Sequence, residues 1–342
     1  MELGGVENVV REIAKRLGRK HKVFLIVRDR PQNGKFEKFW DGVFVIPNSR
    51  TFVNFMKSRK FVEKFVRDNK IDVVNFHNWS AIIPFMGCKF PKVLTMHGTS
   101  TERFLNQGKW IMAKIMRIAE NRAMKSADLI TSITKCHMEK IGFKGKFEVI
   151  YNGVDTKFFS PKKGARKSTR RKLGIRGLTG IFVGKFMPVK RLGTLLEVAK
   201  RMPEVNFIVV GDGEESYLLK NATKNVKWVG AVYDKKKLRD LYSAADFLII
   251  TSENEGLPLV LLEGMAMGLP VVASRAGGIP EIVEKAKEGI LVDKTFHNFI
   301  GGITALKQNP KKFYKTRQYI VKNLNWEQIT KDYEKLFASI KK

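Results

Sequence analysis

The sequence is poor in cysteine and has no long uninterrupted hydrophobic run. Its 342 residues include two cysteines, Cys88 and Cys136, which stand far apart and outside any metal-ligand spacing. This excludes a disulfide framework and a cysteine-based zinc site, and it is typical of a protein kept in a reducing cytoplasm. The longest apolar stretch, residues 257–273, contains Glu263 and two prolines. A membrane span is therefore not expected there.

Acidic residues are also scarce. The sequence has 33 Asp and Glu against 64 Lys and Arg, which gives a formal net charge of +31. Such a charge implies acidic partners: anionic lipids, phosphorylated substrates or nucleic acid. A nucleic-acid binder would carry aromatic residues interleaved with basic ones on a sheet face or a recognition helix. The sequence shows neither arrangement, so no nucleic-acid partner is expected.

A basic amphipathic segment at residues 51–70 has apolar residues at helical spacing and cations that include Arg59, Lys60 and Lys64. This pattern predicts a helix on the acceptor side that could lie on an anionic membrane surface. Residues 109–125 are a weaker candidate of the same kind. The alternative, an apolar face on the core with solvated charges, stays open for both.

Short apolar runs alternate with longer amphipathic segments in two successive series. The first series predicts strands at residues 23–27, 43–46, 72–76, 93–96, 129–132 and 148–150. The second predicts strands at residues 181–183, 207–210, 226–229, 247–250, 271–273 and 290–292. This rhythm is typical of parallel sheets with helices on both faces, so the predicted fold is α/β with two Rossmann-like domains.

The domain boundaries follow from a basic break at residues 161–177, which has no acidic residue. We expect one domain over residues 1–159, a second over 160–323, and a terminal helix over 324–342 that packs back on the first. The break itself is either a solvated linker that leads into a short surface helix or a dedicated phosphate or lipid contact.

Polar residues follow several predicted strands, where ligands bind in parallel sheets. His77, His97, Lys185 and Glu255 occupy such positions, and they would line one cleft if the two domains face each other. After Glu255 a helix is predicted to begin at Pro258, a favoured first helical residue. Its free N–H groups suit a phosphate and the carboxylates suit hydroxyls, a combination that fits a nucleotide sugar.

The most specific motif is a pair of glutamates eight positions apart, Glu255 and Glu263. It comes with Glu-Gly-Leu-Pro-Leu at 255–259, Met-Ala-Met-Gly-Leu-Pro-Val-Val-Ala at 265–273 and Gly-Gly-Ile-Pro-Glu-Ile at 277–282. Further matches are Gly-Gly-Val-Glu at 4–7, Tyr-Asn-Gly-Val-Asp at 151–155 and Trp-Glu at 326–327. With these motifs the chain resembles the retaining glycosyltransferases of family 4. The resemblance implies the GT-B architecture, in which two facing Rossmann-like domains enclose an interdomain cleft.

The resemblance also implies roles for individual residues. Glu255 and His97 would be the catalytic residues at the donor sugar, and Glu263 would accept the ribose hydroxyls. Lys185 and Lys190 would neutralise the diphosphate. The remaining donor-binding residues would be Gly5, Gly256, Leu257 and Leu259, through their backbone. The alternatives stay open: surface lysines, a simple turn glycine and a packed histidine.

The sequence contains no Asp-x-Asp and no cluster with metal-ligand spacing, so we expect no metal and no cofactor. The leading function is the transfer of a sugar from a UDP- or GDP-sugar to a glycan or lipid-linked saccharide with retained configuration. We expect a cytoplasmic protein, peripheral on the inner membrane face. The alternatives are a nucleotide-sugar epimerase of the same fold, a phosphorylase, and a weakly active or inactive scaffold subunit.

One departure from the family concerns the first strand. Family members carry a strand before the Gly-Gly turn, whereas here Met1 stands just ahead of it. We expect either that the true start lies upstream, or that the strand is missing and the activity is weakened.

Overall fold

A computed structural model of the chain describes residues 5–27, 41–45, 58–287, 289–309 and 315–340. The chain divides into two compact units. The first unit comprises residues 1–152 together with 326–342, and the second unit comprises residues 153–325.

The first unit is built from parallel strands. Two strands pair with each other, β1 (Phe24–Val27) and β2 (Gly42–Val45). A four-stranded sheet follows in the order β3 (Val74–His77), β4 (Lys92–Met96), β5 (Leu129–Ser132) and β6 (Glu148–Val149). Its helices up to this point are α1 (Gly5–Leu17), α2 (Arg59–Asp68), α3 (Trp79–Ile82), α4 (Ser100–Asn106), α5 (Trp110–Lys125) and α6 (Lys135–Lys140).

A buried carboxylate holds the hairpin of α4 and α5. Glu120 on α5 accepts from the Ser100 N–H and from the Thr101 hydroxyl, each at 2.5 Å. These groups lie at the start of α4, where backbone N–H groups have no partner within the helix. These bonds fix the buried face of α5 against the rest of the unit, and the opposite face of the helix is exposed.

The second unit contains one six-stranded parallel sheet in the order β12–β11–β10–β7–β8–β9. Its strands are β7 (Thr179–Val183), β8 (Asn206–Val210), β9 (Val226–Trp228), β10 (Phe247–Ile250), β11 (Val271–Ser274) and β12 (Gly289–Val292). Its helices are α7 (Ala165–Leu173), α8 (Leu192–Arg201), α9 (Lys235–Ala244), α10 (Leu259–Ala266), α11 (Ile279–Ala286), α12 (Phe296–Gln308) and α13 (Thr316–Asn323). The strand order reverses between β7 and β10, as in doubly wound folds.

Apolar packing and a partly buried cation hold this second unit together. Phe182, Phe207 and Ile249 belong to its core and are at most 2% exposed. The Arg317 guanidinium on α13 donates to three backbone carbonyls, those of Thr156, Phe159 and Ala266. It thereby ties the end of α10 to the segment that enters the unit.

The last helix, α14 (Trp326–Ile340), belongs to the first unit. It packs against α1, where Arg16 and Arg19 both bond the Glu327 carboxylate, at 3.2 and 3.0 Å. Tyr333 on the same helix is 1% exposed. No helix of the described residues is both long and apolar enough to span a bilayer.

The predicted α/β fold with two parallel-sheet units is confirmed, and most strand bounds agree within two residues. Residues 46 and 51–57, which belong to predicted elements, lie outside the described part. The predicted start of α10 at Pro258 is wrong by one residue, because the extended ψ of 130° places this proline before the helix. In the basic break, Arg166 and Arg170 contact Asp246 at 2.5 and 3.0 Å, which anchors α7 to the rest of the second unit.

Candidate functional site

The site in the second unit lies where the strand order reverses. Chain connections diverge on either side of β7 and β10, so the loops after these two strands border a crevice. The two loops are joined directly: the Thr251 hydroxyl donates to the Lys190 carbonyl at 2.7 Å, and the Glu253 N–H donates to the Val189 carbonyl at 2.7 Å. The fold therefore brings residues from both loops together.

An ion pair between Lys190 and Glu255 occupies this junction. The Lys190 Nζ lies 2.5 Å from the Glu255 Oε1, and the Ser252 hydroxyl donates to the same oxygen at 2.6 Å. The side chains are only 21% and 10% exposed, so solvent screens the pair weakly. The Ser274 hydroxyl donates to the Ser252 carbonyl at 2.6 Å. These bonds hold the carboxylate at a defined position.

The backbone after Glu255 is fixed by a close contact with the loop after β11. The Gly278 N–H donates to the Gly256 carbonyl at 2.8 Å. Gly277 has a φ of +53°, and a Cβ there would lie 1.6 Å from the Glu255 carbonyl oxygen, so no other residue fits without moving the loop. Leu257 is buried, and Leu259 begins α10. The first N–H groups of α10 have no helical partner, which suits an anion.

Glu263 lies further along α10 and has a different environment. The Tyr242 hydroxyl donates to its Oε2 at 3.1 Å. Burial raises the pKa of Glu263 to about 7, although the bond from Tyr242 and the charge of Lys235 act in the opposite direction. Burial beside this carboxyl also raises the pKa of Tyr242. Glu263 is therefore a hydroxyl acceptor that titrates near neutral pH.

The two lysines of the loop after β7 differ. Lys185 follows Gly184 and is exposed, and within the described residues no ion pair is recorded for it. Lys190 is held by Glu255 as described above. Arg191 has a φ of +53° and its guanidinium lies 3.1 Å from the Glu253 carboxylate. Of the two lysines, Lys190 is thus the preorganised one.

The residues predicted in the first unit lie on separate elements of it. Gly5 begins α1, and a Cβ there would meet no atom within 4 Å. On α2, Arg59 pairs with Glu63 at 3.1 Å and Lys64 pairs with Asp68 at 3.4 Å, while Lys60 is exposed. Two of the three predicted membrane-side cations are therefore balanced by carboxylates of their own helix.

His97 stands directly after β4, beside His77 at the end of β3. The His77 Nδ1 and the His97 Nε2 are 2.9 Å apart, and the rings stack with 5.2 Å between their centroids. Burial lowers the pKa of His77 to about 3 and that of His97 to about 4. Both rings are therefore neutral at neutral pH.

Asn75 was not among the predicted site residues. Its amide Nδ2 lies 3.2 Å from the His77 Nε2, and its Oδ1 accepts from the Thr95 hydroxyl at 3.0 Å. Since side chains two positions apart on a strand share a face, the period of β3 is the signal that could have linked Asn75 to His77.

The exposed face of α5 combines apolar and basic side chains. Trp110, Ile111, Ile115 and Ile118 are 70%, 79%, 49% and 57% exposed. The exposed charged side chains of this helix are all basic: Lys114, Arg117, Arg122 and Lys125. Its one carboxylate, Glu120, is fully buried. The large exposed apolar residues of the first unit are thus concentrated on α5 rather than on α2, where Phe61 alone is 43% exposed among the described residues.

Comparisons with known proteins bear on both units. A family model described as Glycosyltransferase Family 4 matches residues 3–158, and one described as Glycosyl transferases group 1 matches residues 177–309. An uncharacterized glycosyltransferase of Methanocaldococcus jannaschii is 23% identical over 99% of this chain and 95% of its own. Two solved structures share the fold. Sucrose-phosphate synthase of Thermosynechococcus elongatus has a TM-score of 0.83 at 19% identity, over 98% of this chain and 94% of that one. Anabaena HepE in complex with UDP-glucose has a TM-score of 0.79 at 21% identity, over 98% and 96% of the respective chains.

Proposed function

The chain belongs to the family 4 glycosyltransferases of the GT-B type, and from this premise we propose that it transfers a sugar from a nucleotide-diphosphate sugar to an acceptor with retained anomeric configuration. The donor is a UDP- or GDP-sugar. The observation that carries this proposal is the Lys190–Glu255 pair, held at 2.5 Å beside the start of α10. It presents a cation, a carboxylate and free helix N–H groups within one crevice.

Each part of a nucleotide sugar has a suitable partner among these residues. We assign Lys190 and Lys185 to the diphosphate, together with the backbone N–H groups at Gly256, Leu257 and Leu259. Cations and oriented N–H groups stabilise the negative charge that develops on a departing nucleotide. The solved complex of HepE with UDP-glucose supports a donor of this class, since that protein shares the fold.

The two glutamates are assigned to the two sugars of the donor. Glu255 faces the hydroxyls of the transferred sugar, because a carboxylate accepts two hydroxyl bonds at once. Glu263 accepts the ribose hydroxyls, and Tyr242 orients it at 3.1 Å. We assign His97 to the transferred sugar and Gly5, which lacks a Cβ and so permits a close backbone approach, to the phosphates.

Retention does not require Glu255 to act as a nucleophile. Its Oε1 already accepts from Lys190 and from the Ser252 hydroxyl, at 2.5 and 2.6 Å, which suits a fixed acceptor better than an attacking group. We propose that the leaving phosphate guides the acceptor hydroxyl to the same face of the sugar. In this scheme Lys185, Lys190 and the helix start supply the positive charge, so transfer needs no metal.

A direct test combines donor binding with turnover. A donor that binds the folded protein raises its Tm by mass action, so a thermal-shift screen across UDP- and GDP-sugars identifies it. Glu255→Gln should keep this fold and lose turnover by about 100-fold or more. The matched control is Glu284→Gln, which removes an exposed carboxylate on α11 of the same unit. The product's anomeric configuration is read by NMR, and transfer is repeated with EDTA.

The results separate the alternatives. No Tm shift with any donor, together with unchanged behaviour of Glu255→Gln, would favour the scaffold subunit. Inverted product contradicts retention, and loss of transfer in EDTA contradicts metal independence.

We further propose that the acceptor is lipid-linked and that α5 meets an anionic membrane surface. Three isoleucines and Trp110 are exposed there among basic side chains, with no exposed carboxylate on the helix. Apolar side chains insert at the headgroup boundary while cations attract anionic lipids, each worth about 1 kcal/mol near the surface. This moves the membrane contact from α2, the helix that the sequence favoured, to α5.

Vesicle binding tests the surface. Replacing Ile111 and Ile118 by serine removes two side chains worth about 1.5–3 kcal/mol each when buried, so affinity for anionic vesicles should fall by at least about 100-fold. Lys60→Gln with Lys64→Gln on α2 is the matched control and should weaken binding only slightly. Equal loss in both double variants, or no binding of the parent protein to anionic vesicles at low salt, contradicts the assignment.

A further inference from the structure

We propose that Asn75 and His77 are positioning residues that fix the tautomer of His97, so that its ring proton resides on Nδ1. The inference rests on the proposed function in one respect, because there His97 is assigned to the transferred sugar. The hydrogen-bond chain itself lies entirely within the first unit.

The direction of the chain is set at Asn75. Thr95 accepts from the Thr131 hydroxyl at 3.3 Å and donates its own proton to the Asn75 Oδ1 at 3.0 Å, so the amide nitrogen of Asn75 faces His77. That nitrogen lies 3.2 Å from the His77 Nε2. An amide nitrogen only donates, so the His77 Nε2 must be the acceptor and carries no proton.

The same reasoning passes from His77 to His97. Burial keeps both rings neutral at neutral pH, and a neutral imidazole has one proton. With its Nε2 bare, His77 carries the proton on Nδ1 and donates to the His97 Nε2 at 2.9 Å. His97 therefore accepts at Nε2 and holds its own proton on Nδ1. The donor sugar would then contact an imidazole ring whose single N–H group is at Nδ1.

The register of the sheet positions the residues of this hydrogen-bond chain. Asn75 and His77 lie two positions apart on β3, and His77 is opposite Thr95 on β4. Thr95 is in turn opposite Thr131 on β5, whose hydroxyl lies 3.3 Å from that of Thr95. Both threonines are fully buried. Because backbone pairing places these groups, the orientation of His97 exists before any ligand binds.

Asn75→Asp should reverse the chain. A carboxylate cannot donate, so the His77 Nε2 must carry the proton to keep a hydrogen bond, and its Nδ1 becomes an acceptor. The His97 Nε2 then becomes the donor and its Nδ1 loses the proton. Asn121→Asp, on α5, adds the same charge to the same unit away from this chain and is the control.

Long-range ¹H–¹⁵N correlation spectra of the ligand-free protein report the tautomer of each ring. The chain has five histidines, and His97→Gln assigns the relevant signals. Spectra are recorded at a pH of about 9, so that the ring beside the new carboxylate stays neutral. We expect the proton on Nδ1 in the parent protein and in Asn121→Asp, and on Nε2 in Asn75→Asp. A parent protein with the proton on Nε2, or an Asn75→Asp protein with an unmoved proton, overturns the proposal.

Turnover supplies a second readout. Asn75→Asp should lower kcat by about tenfold, the equivalent of one misdirected hydrogen bond, with little change in the donor KM. The spectra need neither donor nor activity, so a wrong assignment of the reaction leaves the tautomer result intact. If the His97 proton moves in Asn75→Asp but kcat stays unchanged, the proposed role of the His97 tautomer in sugar transfer is refuted.

Discussion

Replacing Gly277 by alanine tests whether the loop after β11 sets the position of Glu255. Gly277 has a φ of +53°, and its added Cβ would lie 1.6 Å from the Glu255 carbonyl oxygen. Gly268 offers a matched control in the same unit, because its φ is +82° but a Cβ there meets no atom within 4 Å. The two alanine variants share the backbone strain and differ in the collision.

The expected losses of stability and turnover follow from the backbone strain and from the collision. A left-handed alanine costs about 1–2 kcal/mol, which corresponds to a fall in Tm of about 2–8 °C for a domain of this size. Both variants should show at least this loss. In Gly277→Ala the backbone at Glu255 must also retreat by roughly 1.4 Å to restore a 3.0 Å contact. A displacement of about 1 Å at a reacting centre can lower turnover by about 100-fold.

The assay compares kcat, donor affinity and Tm for the two variants and the parent protein. We expect Gly268→Ala to lose stability and keep turnover, and Gly277→Ala to lose turnover by about 100-fold while circular dichroism confirms an intact fold. Equal turnover in the two variants would refute the reasoning, because the Glu255 loop would then not depend on Gly277.

Three further predictions concern single side chains. Burial raises the pKa of Glu263 to about 7, above its ordinary 4.5, so its contribution to the free energy of unfolding is full below pH 4.5 and is lost as the pH rises through about 7. Glu263→Gln should flatten this slope in urea titrations at about pH 5 and pH 8, and an unchanged slope contradicts the assignment. Lys190→Met should weaken donor binding by about tenfold or more in calorimetry, and Lys185→Met should weaken it less, because only Lys190 is fixed by an ion pair. Arg317→Met leaves three carbonyls without their donor and should lower the free energy of unfolding by about 2–3 kcal/mol; a loss below about 0.5 kcal/mol would contradict this anchoring role.

The strands were largely predictable because each is a short segment rich in apolar residues of high strand propensity. Residues 129–132 and 247–250 form strands with the predicted bounds. The second of these, Phe-Leu-Ile-Ile, is a continuous apolar run of the kind that buried parallel strands show. The proximity of Lys190 and Glu255 was also predictable, because both follow strands of one parallel sheet. The sequence could not supply their 2.5 Å contact, which depends on the turn geometry of two loops.

Two partners of the predicted site residues, Tyr242 and Asn75, escaped prediction. Tyr242 lies on α9 and Asn75 on β3, and neither has a motif that marks it. Their roles arise from packing and from register, which place distant residues on one face. The predicted first residue of α10 was displaced by one because a proline fits both the position before a helix and its first turn.

The place of α14 in the fold determines the order in which the two units can be completed during synthesis. The second unit ends at residue 325, and α14 follows it in the chain but belongs to the first unit. Arg16 must therefore wait for Glu327, to which it also bonds at 3.2 Å, until residues 326–340 have left the ribosome. We expect the second unit to fold first. The first unit stays incomplete until α14 has been synthesised.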